Sequence, residues 1–85
     1  MNIDIRLPIV IYSKPGCQQC NAVERYLKTR RLNYRKIDVT QYAEAERKVR
    51  DMGYSQVPVV VVPFDYEANL RHFYGFDPDA LNSIR

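Results

Sequence analysis

The segment Lys14-Pro15-Gly16-Cys17-Gln18-Gln19-Cys20 holds the only two cysteines of the 85-residue chain. It follows Leu7–Tyr12, a short apolar run rich in β-branched residues that is typical of a strand buried on both faces. After it, from about Gln18 to Arg31, apolar side chains recur at helical spacing. The pair is therefore predicted to lie at a strand-to-helix junction, with Cys17 at the helix N-terminus and Cys20 one turn inside.

Three interpretations of the cysteine pair are open: a structural disulfide, part of a metal site, or a redox couple. A disulfide here closes a very short loop and would stabilise the fold little, because cross-link stabilisation grows with loop length. A closed zinc or iron–sulfur site needs about four ligands. The sequence offers two cysteines and one histidine, His72. Redox chemistry is favoured, and we expect neither a metal nor a bound cofactor.

The predicted position of the pair also suggests a role for each sulfur. Only a thiolate attacks a disulfide, and the unpaired N–H groups and partial positive charge of a helix N-terminus favour the thiolate. Lys14 adds a nearby cation. We therefore predict a lowered pKa for Cys17, the nucleophile, and a more buried Cys20 that resolves the mixed disulfide.

The remainder of the chain predicts five further elements. These are a strand at Tyr34–Val39, a helix at Gln41–Met52, strands at Val57–Val62 and Leu70–Tyr74 joined by a hairpin loop at Pro63–Asn69, and a short last helix. We expect a turn at Asn33, an N-cap at Thr40, a helix stop at Gly53, and a final helix capped by Asp77 with Pro78 in its first position. The order β-α-β-α-β-β-α predicts one α/β domain over residues 1–85, with the first two strands parallel.

Composition excludes several classes of protein. A net charge of +3 is small for nucleic-acid binding, and the basic residues near the end of the first helix are interpreted as solvated. No apolar run approaches the roughly 20 residues that a membrane helix needs. The sequence MNIDIRLPIVIY lacks the features of a signal peptide, so we expect a mature cytoplasmic protein that binds neither nucleic acid nor membrane.

A cysteine pair at a strand-to-helix junction, followed by Val57-Pro58 entering a strand, resembles the thioredoxin fold. At this length the chain is similar to the glutaredoxin branch, a four-stranded mixed sheet flanked by three helices. The resemblance implies a cis Pro58 that faces the cysteines and turns the Val57 backbone toward an extended substrate. Without the cysteine pair, a trans proline at the start of a strand would be expected.

Three stretches resemble the NrdH-redoxin family more closely: Cys17-Gln18-Gln19-Cys20, the run at 53–60 (GYSQVPVV), and Gly75-Phe76-Asp77-Pro78-Asp79. These glutaredoxin-like proteins supply electrons to ribonucleotide reductase and are reduced by thioredoxin reductase. The resemblance implies a dithiol–disulfide oxidoreductase that receives NADPH electrons only through its reductase, and we expect a monomer. The implied substrate-binding residues are Lys14, Val57, Pro58, Gly75, Phe76 and Asp77, and Tyr12 is a further candidate for lining the approach.

A glutathione-dependent glutaredoxin is the first alternative, and a non-catalytic binding module with this fold is the second. Glutaredoxins hold a glutathione carboxylate with a Gly-Gly turn and backbone N–H groups ahead of the last helix. Here Phe76 replaces the second glycine, Pro78 has no N–H, and Asp77 adds negative charge, although Asp79 is free to pair with the glutathione ammonium. The chain also departs from the NrdH pattern, with Phe73 for the usual Trp and Asp77 for the usual Arg, so partner choice is open.

Overall fold

Seven elements follow one another within residues 8–63 and 71–84, the part of the chain that the computed structural model describes. They are β1 (Ile9–Ser13), α1 (Gln18–Thr29), β2 (Tyr34–Asp38), α2 (Ala43–Asp51), β3 (Val59–Val62), β4 (Arg71–Tyr74) and α3 (Pro78–Asn82). Their order confirms the predicted β-α-β-α-β-β-α arrangement. Most of the hairpin loop predicted at Pro63–Asn69 lies outside the described residues, as does Leu70.

The strands form one mixed sheet in the order β2-β1-β3-β4. β1 pairs with β2 in parallel, from Ile9 opposite Tyr34 to Ser13 opposite Asp38, as expected for two strands joined by a helix. β1 and β3 are antiparallel, and so are β3 and β4. The two central strands, β1 and β3, are the most apolar ones, because neither of their faces meets solvent.

Helices cover both faces of the sheet, and alternation along β3 divides the core between them. Val60 and Val62 pack on one face with α1 and α3, whereas Val59 and Val61 pack on the other face with α2. Cys20 belongs to the cluster on the α2 face. The first turn of α1, which follows the end of β1, therefore places the Cys20 sulfur in the core.

The chain turns after helix α1 at Arg31, which has a left-handed conformation, and not at Asn33 as predicted. Arg31 has a φ of 57°, its N–H donates to the Lys28 carbonyl at 3.0 Å, and the Leu32 N–H donates to the Leu27 carbonyl at 3.0 Å. This pattern is a Schellman cap with arginine where glycine is usual. The prediction of a turn at Asn33 was wrong. Asn33 directly precedes β2, and its carbonyl accepts a hydrogen bond from the Ile9 N–H of β1.

Helix α2 begins later than predicted and ends as predicted. Thr40 is not its N-cap; the Thr40 N–H and hydroxyl both donate to Asp38 Oδ1, at 2.8 and 2.6 Å, and form a local turn after β2. The N-cap is Tyr42, whose side chain makes no capping hydrogen bond. At the other end Gly53, with a φ of 96°, stops the helix as expected.

Helix α3 carries the predicted N-terminal signals. The Asp77 side chain accepts a hydrogen bond from the Ala80 N–H at 3.1 Å, and Pro78 occupies the first turn, where its missing N–H costs nothing. Leu81 and Ile84, the predicted apolar contacts, are 0% and 2% exposed. This short helix is therefore fixed to the core by its second half.

Two arginines from other elements bind the carbonyls at the end of α3. Arg30 donates to the Leu81 carbonyl at 3.0 Å and to the Ile84 carbonyl at 3.1 Å. Arg71 donates to the Ala80 carbonyl at 2.9 Å. Because the Ala80 and Leu81 carbonyls also accept backbone N–H groups of the last turn, the arginines act there as second donors. None of the helices in the described ranges has the length and apolarity needed to cross a membrane.

Candidate active site

The cysteine pair lies where the sequence predicts, at the junction of β1 and α1. Gly16, with a φ of 74°, completes the turn that leads into the helix. Cys17 is the N-cap in extended conformation, and its sulfur accepts a hydrogen bond from the Cys20 N–H at 3.1 Å. The two residues form a disulfide, with their Cα atoms 5.2 Å apart. Cys20 is 2% exposed and Cys17 is partly exposed, so Cys17 is the sulfur that a partner meets first.

The Val57–Pro58 peptide bond is cis, as the resemblance implies. Val57 is buried in the same apolar cluster as Cys20, and Cys17 packs against that cluster. The Pro58 carbonyl accepts a hydrogen bond from the Gly75 N–H at 2.8 Å. The proline segment is therefore attached to the cysteines by apolar packing on one side and to Gly75 by a backbone bond on the other.

The Gly75–Phe76 segment is also attached to the helix that carries the cysteines. The Phe76 N–H donates to Gln19 Oε1 at 3.2 Å. Gly75 is buried with a φ of 82°, and a Cβ placed there would lie 3.2 Å from the same oxygen. Sequence reasoning missed this role of Gln19. Its only sequence signal is its place between the cysteines, which does not reveal a partner 57 residues away.

Lys14 and Val57 line a groove of about 190 Å³ whose wall includes Tyr54, Ser55 and Gln56. Lys14 is exposed at this position. The groove adjoins the cis proline, where the resemblance places an extended substrate. The substrate-binding role of these residues stays a prediction.

Three further candidates occupy different environments. Tyr12 is 7% exposed and belongs to the core on the α2 face. Phe76 is 39% exposed and packs edge-on against Tyr26, with ring centroids 6.4 Å apart. Asp77 is exposed and caps α3. Phe76 and Asp77 are thus accessible to a partner, whereas most of Tyr12 is not.

A second cluster, not found from the sequence, joins the end of α2 to β4. The Tyr54 hydroxyl bonds to His72 Nδ1 at 2.8 Å, and its ring stacks on Tyr74. The Tyr74 hydroxyl donates to Gln56 Oε1 at 3.0 Å. His72 therefore lies with aromatic residues. Within residues 8–63 and 71–84, no group of three or more His, Cys, Asp or Glu side chains is arranged to hold a metal.

An ion-pair cluster between α1 and β2 contains two groups with shifted pKa values, Glu24 and Tyr34. The Tyr34 hydroxyl donates to Glu24 Oε2 at 2.8 Å, and Lys36 Nζ lies 3.4 Å from Glu24 Oε1. The Tyr34 hydrogen bond has the largest effect and lowers the pKa of Glu24; burial opposes it, and the Lys36 contact lowers the pKa further. Burial, then Glu24, raises the pKa of Tyr34 to about 12. The cluster ties a helix to a strand, and we assign it to stability.

A family model described as glutaredoxin matches residues 9–65, which span the cysteine pair, the cis proline and three of the four strands. The chain belongs to the glutaredoxin family. Within this family it is similar to the glutaredoxin-like protein NrdH of Escherichia coli, 33% identical over 76 residues that cover 89% of this chain and 86% of the relative. It is also similar to the gene 56 protein of Mycobacterium phage D29, 32% identical over 91% of this chain and 81% of the relative.

Known structures agree with this glutaredoxin assignment. The glutaredoxin-like NrdH-redoxin from Escherichia coli superposes with a TM-score of 0.80 at 30% identity, covering 93% of this chain and 96% of that one. The thioredoxin-like protein BC3987 gives a TM-score of 0.71 at 27% identity, covering 87% and 94%. The predicted thioredoxin/glutaredoxin fold and the NrdH-like assignment are confirmed. The chain is a glutaredoxin-like redox protein whose Cys17-x-x-Cys20 pair fits a disulfide oxidoreductase.

Proposed function

We propose that this glutaredoxin-like protein is a cytoplasmic dithiol donor that thioredoxin reductase reduces and that delivers electrons to ribonucleotide reductase. The single observation that carries the proposal is the asymmetry of the cysteine pair, with Cys17 partly exposed at a helix N-cap and Cys20 buried beneath it. The choice of reductant is supported by a similar protein, NrdH-redoxin from Escherichia coli, whose structure is described as the basis of a thioredoxin-like activity profile.

In the first step, the Cys17 thiolate attacks one sulfur of a substrate disulfide. A bond forms between Cys17 Sγ and that sulfur, the substrate S–S bond breaks, and the second substrate sulfur leaves as a thiolate. The Cys20 N–H, 3.1 Å from Cys17 Sγ, is placed to donate to the thiolate form. The N-cap position of Cys17 thus supplies a donor without any cofactor.

In the second step, the Cys20 thiolate attacks Cys17 Sγ and displaces the substrate sulfur. The Cys17–Cys20 disulfide forms, and the substrate leaves as a dithiol after taking up two protons. The dithiol protein has lost two electrons and the substrate has gained them. Thioredoxin reductase then returns two electrons, which come from NADPH, and restores both thiols.

The substrate backbone is proposed to pair with Val57 beside the cis proline. The paired residues of β3 begin at Val59, so the Val57 peptide groups lie outside the sheet ladder and are left for an extended chain. Lys14 borders the same groove and supplies a positive charge. On the other side of Pro58, Gly75, Phe76 and Asp77 form the edge of the proposed docking surface.

Glutathione is the rival reductant, and three features ahead of α3 weaken a carboxylate site there. Phe76 places a ring where glutaredoxins have a second glycine, and this ring is 39% exposed. Pro78 has no N–H to donate. The Asp77 carboxylate adds negative charge at the same place. A ligand with two carboxylates therefore meets repulsion and few donors.

A coupled assay tests the choice of reductant. NADPH oxidation is followed with insulin as the disulfide substrate, once with thioredoxin reductase and once with glutathione plus glutathione reductase. We expect turnover in the first system and little in the second, with Cys17→Ser inactive in both. Turnover only with glutathione would establish the glutathione-dependent alternative, and no insulin reduction even with dithiothreitol would establish the non-catalytic binding module.

The substrate is tested separately. Ribonucleotide reductase, depleted of other reductants, should turn over when this protein, thioredoxin reductase and NADPH are added together. The Cys17→Ser variant is the matched control for added protein. Insulin reduction without support of ribonucleotide reductase would keep the oxidoreductase activity and reject the proposed partner.

A further inference from the structure

Gln19 joins the cysteine-bearing helix to the segment before α3. Its Oε1 accepts from the Phe76 N–H at 3.2 Å and lies 3.2 Å from the position of a Cβ on Gly75. The residue is exposed, so burial does not dictate this orientation. The contact spans 57 residues of sequence and fixes Gly75–Phe76 relative to the disulfide.

Gln18 provides an internal comparison. It has the same side chain, occupies the same turn of α1 and is also exposed. Successive residues of a helix point about 100° apart, so Gln18 and Gln19 face different directions. Among the side-chain hydrogen bonds between residues 8–63 and 71–84, one joins Gln19 to Phe76 and none involves the Gln18 side chain.

The Gln19 bond changes which donors are free ahead of α3. The Phe76 N–H is taken by Gln19, and Pro78 has no N–H. The Ala80 N–H is taken by the Asp77 carboxylate, which also brings negative charge. A small ligand carboxylate approaching this edge would have to displace Gln19 to use the Phe76 N–H, or Asp77 to use the Ala80 N–H.

We propose that Gln19 is a specificity residue that excludes carboxylate-bearing small thiols, of which glutathione is the probe, by occupying the Phe76 N–H. This inference rests on the proposed function, since it concerns how the same disulfide is reduced. In the reaction that it limits, a glutathione thiolate attacks Cys17 Sγ, forms a mixed disulfide and releases the Cys20 thiolate. A second glutathione thiolate then releases Cys17 and leaves oxidised glutathione, so two electrons pass to the protein.

Three variants test whether the effect comes from the hydrogen-bond acceptor of Gln19 or from any substitution between the two cysteines. Gln19→Ala removes the acceptor and frees the Phe76 N–H, Gln19→Glu keeps an acceptor at the same reach, and Gln18→Ala is the matched control. For each protein, the KM for glutathione is measured in the coupled insulin assay, together with the rate driven by dithiothreitol, which has no carboxylate. Dividing the glutathione rate by the dithiothreitol rate corrects for changes in intrinsic reactivity.

We expect Gln19→Ala to lower the KM for glutathione and raise the rate ratio by about tenfold, because a freed N–H can donate to a charged carboxylate. Gln18→Ala should leave the ratio unchanged, and Gln19→Glu should leave it unchanged or lower it. An unchanged ratio in Gln19→Ala would overturn the proposal, as would an equal rise in Gln18→Ala.

Amide measurements by NMR give a readout that does not depend on activity. The Phe76 amide should exchange faster in Gln19→Ala than in the wild type, and glutathione should perturb it only in the variant. Faster exchange without a glutathione effect would mean that Gln19 only positions the segment, which overturns the specificity role. If instead the wild type already runs on glutathione, the proposed reductant is wrong, yet a further tenfold gain in Gln19→Ala would still support the inference.

Discussion

Cys17 and Cys20 are chemically the same, and their different surroundings lead us to expect different roles. Cys17 is the N-cap and is partly exposed, whereas Cys20 is 2% exposed within the core cluster on the α2 face. A partner can therefore reach only the first sulfur directly. We expect the second to react only with a sulfur already bonded to Cys17, which would order the two proposed steps.

Replacing each cysteine by serine should separate these steps. Cys17→Ser removes the nucleophile and should abolish insulin reduction. Cys20→Ser keeps the nucleophile but removes the resolving thiol, so a covalent mixed disulfide should accumulate with a disulfide substrate. Non-reducing gel electrophoresis and intact mass measure the adduct, and normal turnover of Cys20→Ser with a dithiol reductant would contradict the assigned order.

At the scale of single residues, the sequence predicted those features that depend only on residues nearby in the chain. The cysteine pair, the Asp77 cap and the Gly53 stop were all predicted, because each acts within a few residues of itself. The Gln19–Phe76 bond was not predicted. It depends on how far α1 lies from the segment before α3, and no local pattern encodes that distance.

The ends of α1 and α2 offer the next prediction, because they share one geometry with different residues. Arg31 and Gly53 each occupy the left-handed position, with φ of 57° and 96°. A left-handed conformation costs an L-residue about 1–2 kcal/mol, and glycine avoids this cost. Glycine also has more conformational freedom in the unfolded chain, which offsets part of the gain in stability. Arg31→Gly should therefore raise the free energy of unfolding by about 0.5–1 kcal/mol.

The reverse change at the matched position is the control. Gly53→Ala should lower the free energy of unfolding by about 1 kcal/mol, since no atom lies within 4 Å of the added Cβ and only the backbone conformation opposes it. Urea-induced unfolding measures both variants. A loss of stability in Arg31→Gly would show that the arginine side chain contributes more than its backbone costs.

The cap of α3 can be separated from the charge that it carries. Asp77→Ala removes the acceptor for the Ala80 N–H and should lower the free energy of unfolding by about 1 kcal/mol. Asp77→Asn keeps an acceptor and should cost less than half as much. Urea midpoints compare the two variants. Equal losses would mean that the negative charge, and not the capping bond, stabilises this helix.

At the scale of elements, the errors share one cause. The sequence placed an N-cap at Thr40 and a turn at Asn33, the residues with the strongest local preference for those positions. The structure uses Thr40 in a turn closed by Asp38 and uses Asn33 to extend the pairing with β1. In both cases the adjacent strand β2 decided the outcome. Local preference therefore predicted that helices and strands end near these residues, but it misplaced the boundaries by a few residues.

The contact of Glu24 with Tyr34 links α1 to β2 and should make global stability depend on pH. The pKa of Glu24 is lowered from its ordinary value of 4.5, mainly by the Tyr34 hydrogen bond. Its stabilisation is therefore complete above the unfolded-state pKa and is lost as pH falls through the folded-state pKa. The pKa of Tyr34 is raised from 10.0 to about 12, so its stabilisation is lost between those values as pH rises.

Tyr34→Phe tests this linkage at both ends of the range. Urea unfolding of the variant should show a shallower loss of stability below pH 4.5 and no loss from this group between pH 10 and about 12. Glu46→Gln is the control, because Glu46 pairs with Arg50 on an exposed helix surface, where an ion pair contributes little. The same acid profile in Tyr34→Phe and the wild type would contradict the assignment.

The whole fold was predictable because several independent patterns agree. The apolar run at Leu7–Tyr12 predicted a strand covered on both faces, and the strand-helix-strand order predicted that β1 and β2 are parallel, as they are. The resemblance then added the cis bond at Pro58, which no periodicity reveals. The aromatic cluster of Tyr54, His72 and Tyr74 was not foreseen, since it forms only where α2 ends beside an edge strand.

The run of four valines in β3 bears on how the protein avoids aggregation. Val59–Val62 are each at most 8% exposed, and β3 lies between β1 and β4. Such a segment readily forms intermolecular β-structure once it is uncovered. Both edge strands carry charged residues, Arg35 and Lys36 on β2 and Arg71 on β4, which discourage pairing with another chain. The integrity of β4 therefore protects the protein from self-association, because its detachment would expose β3 directly.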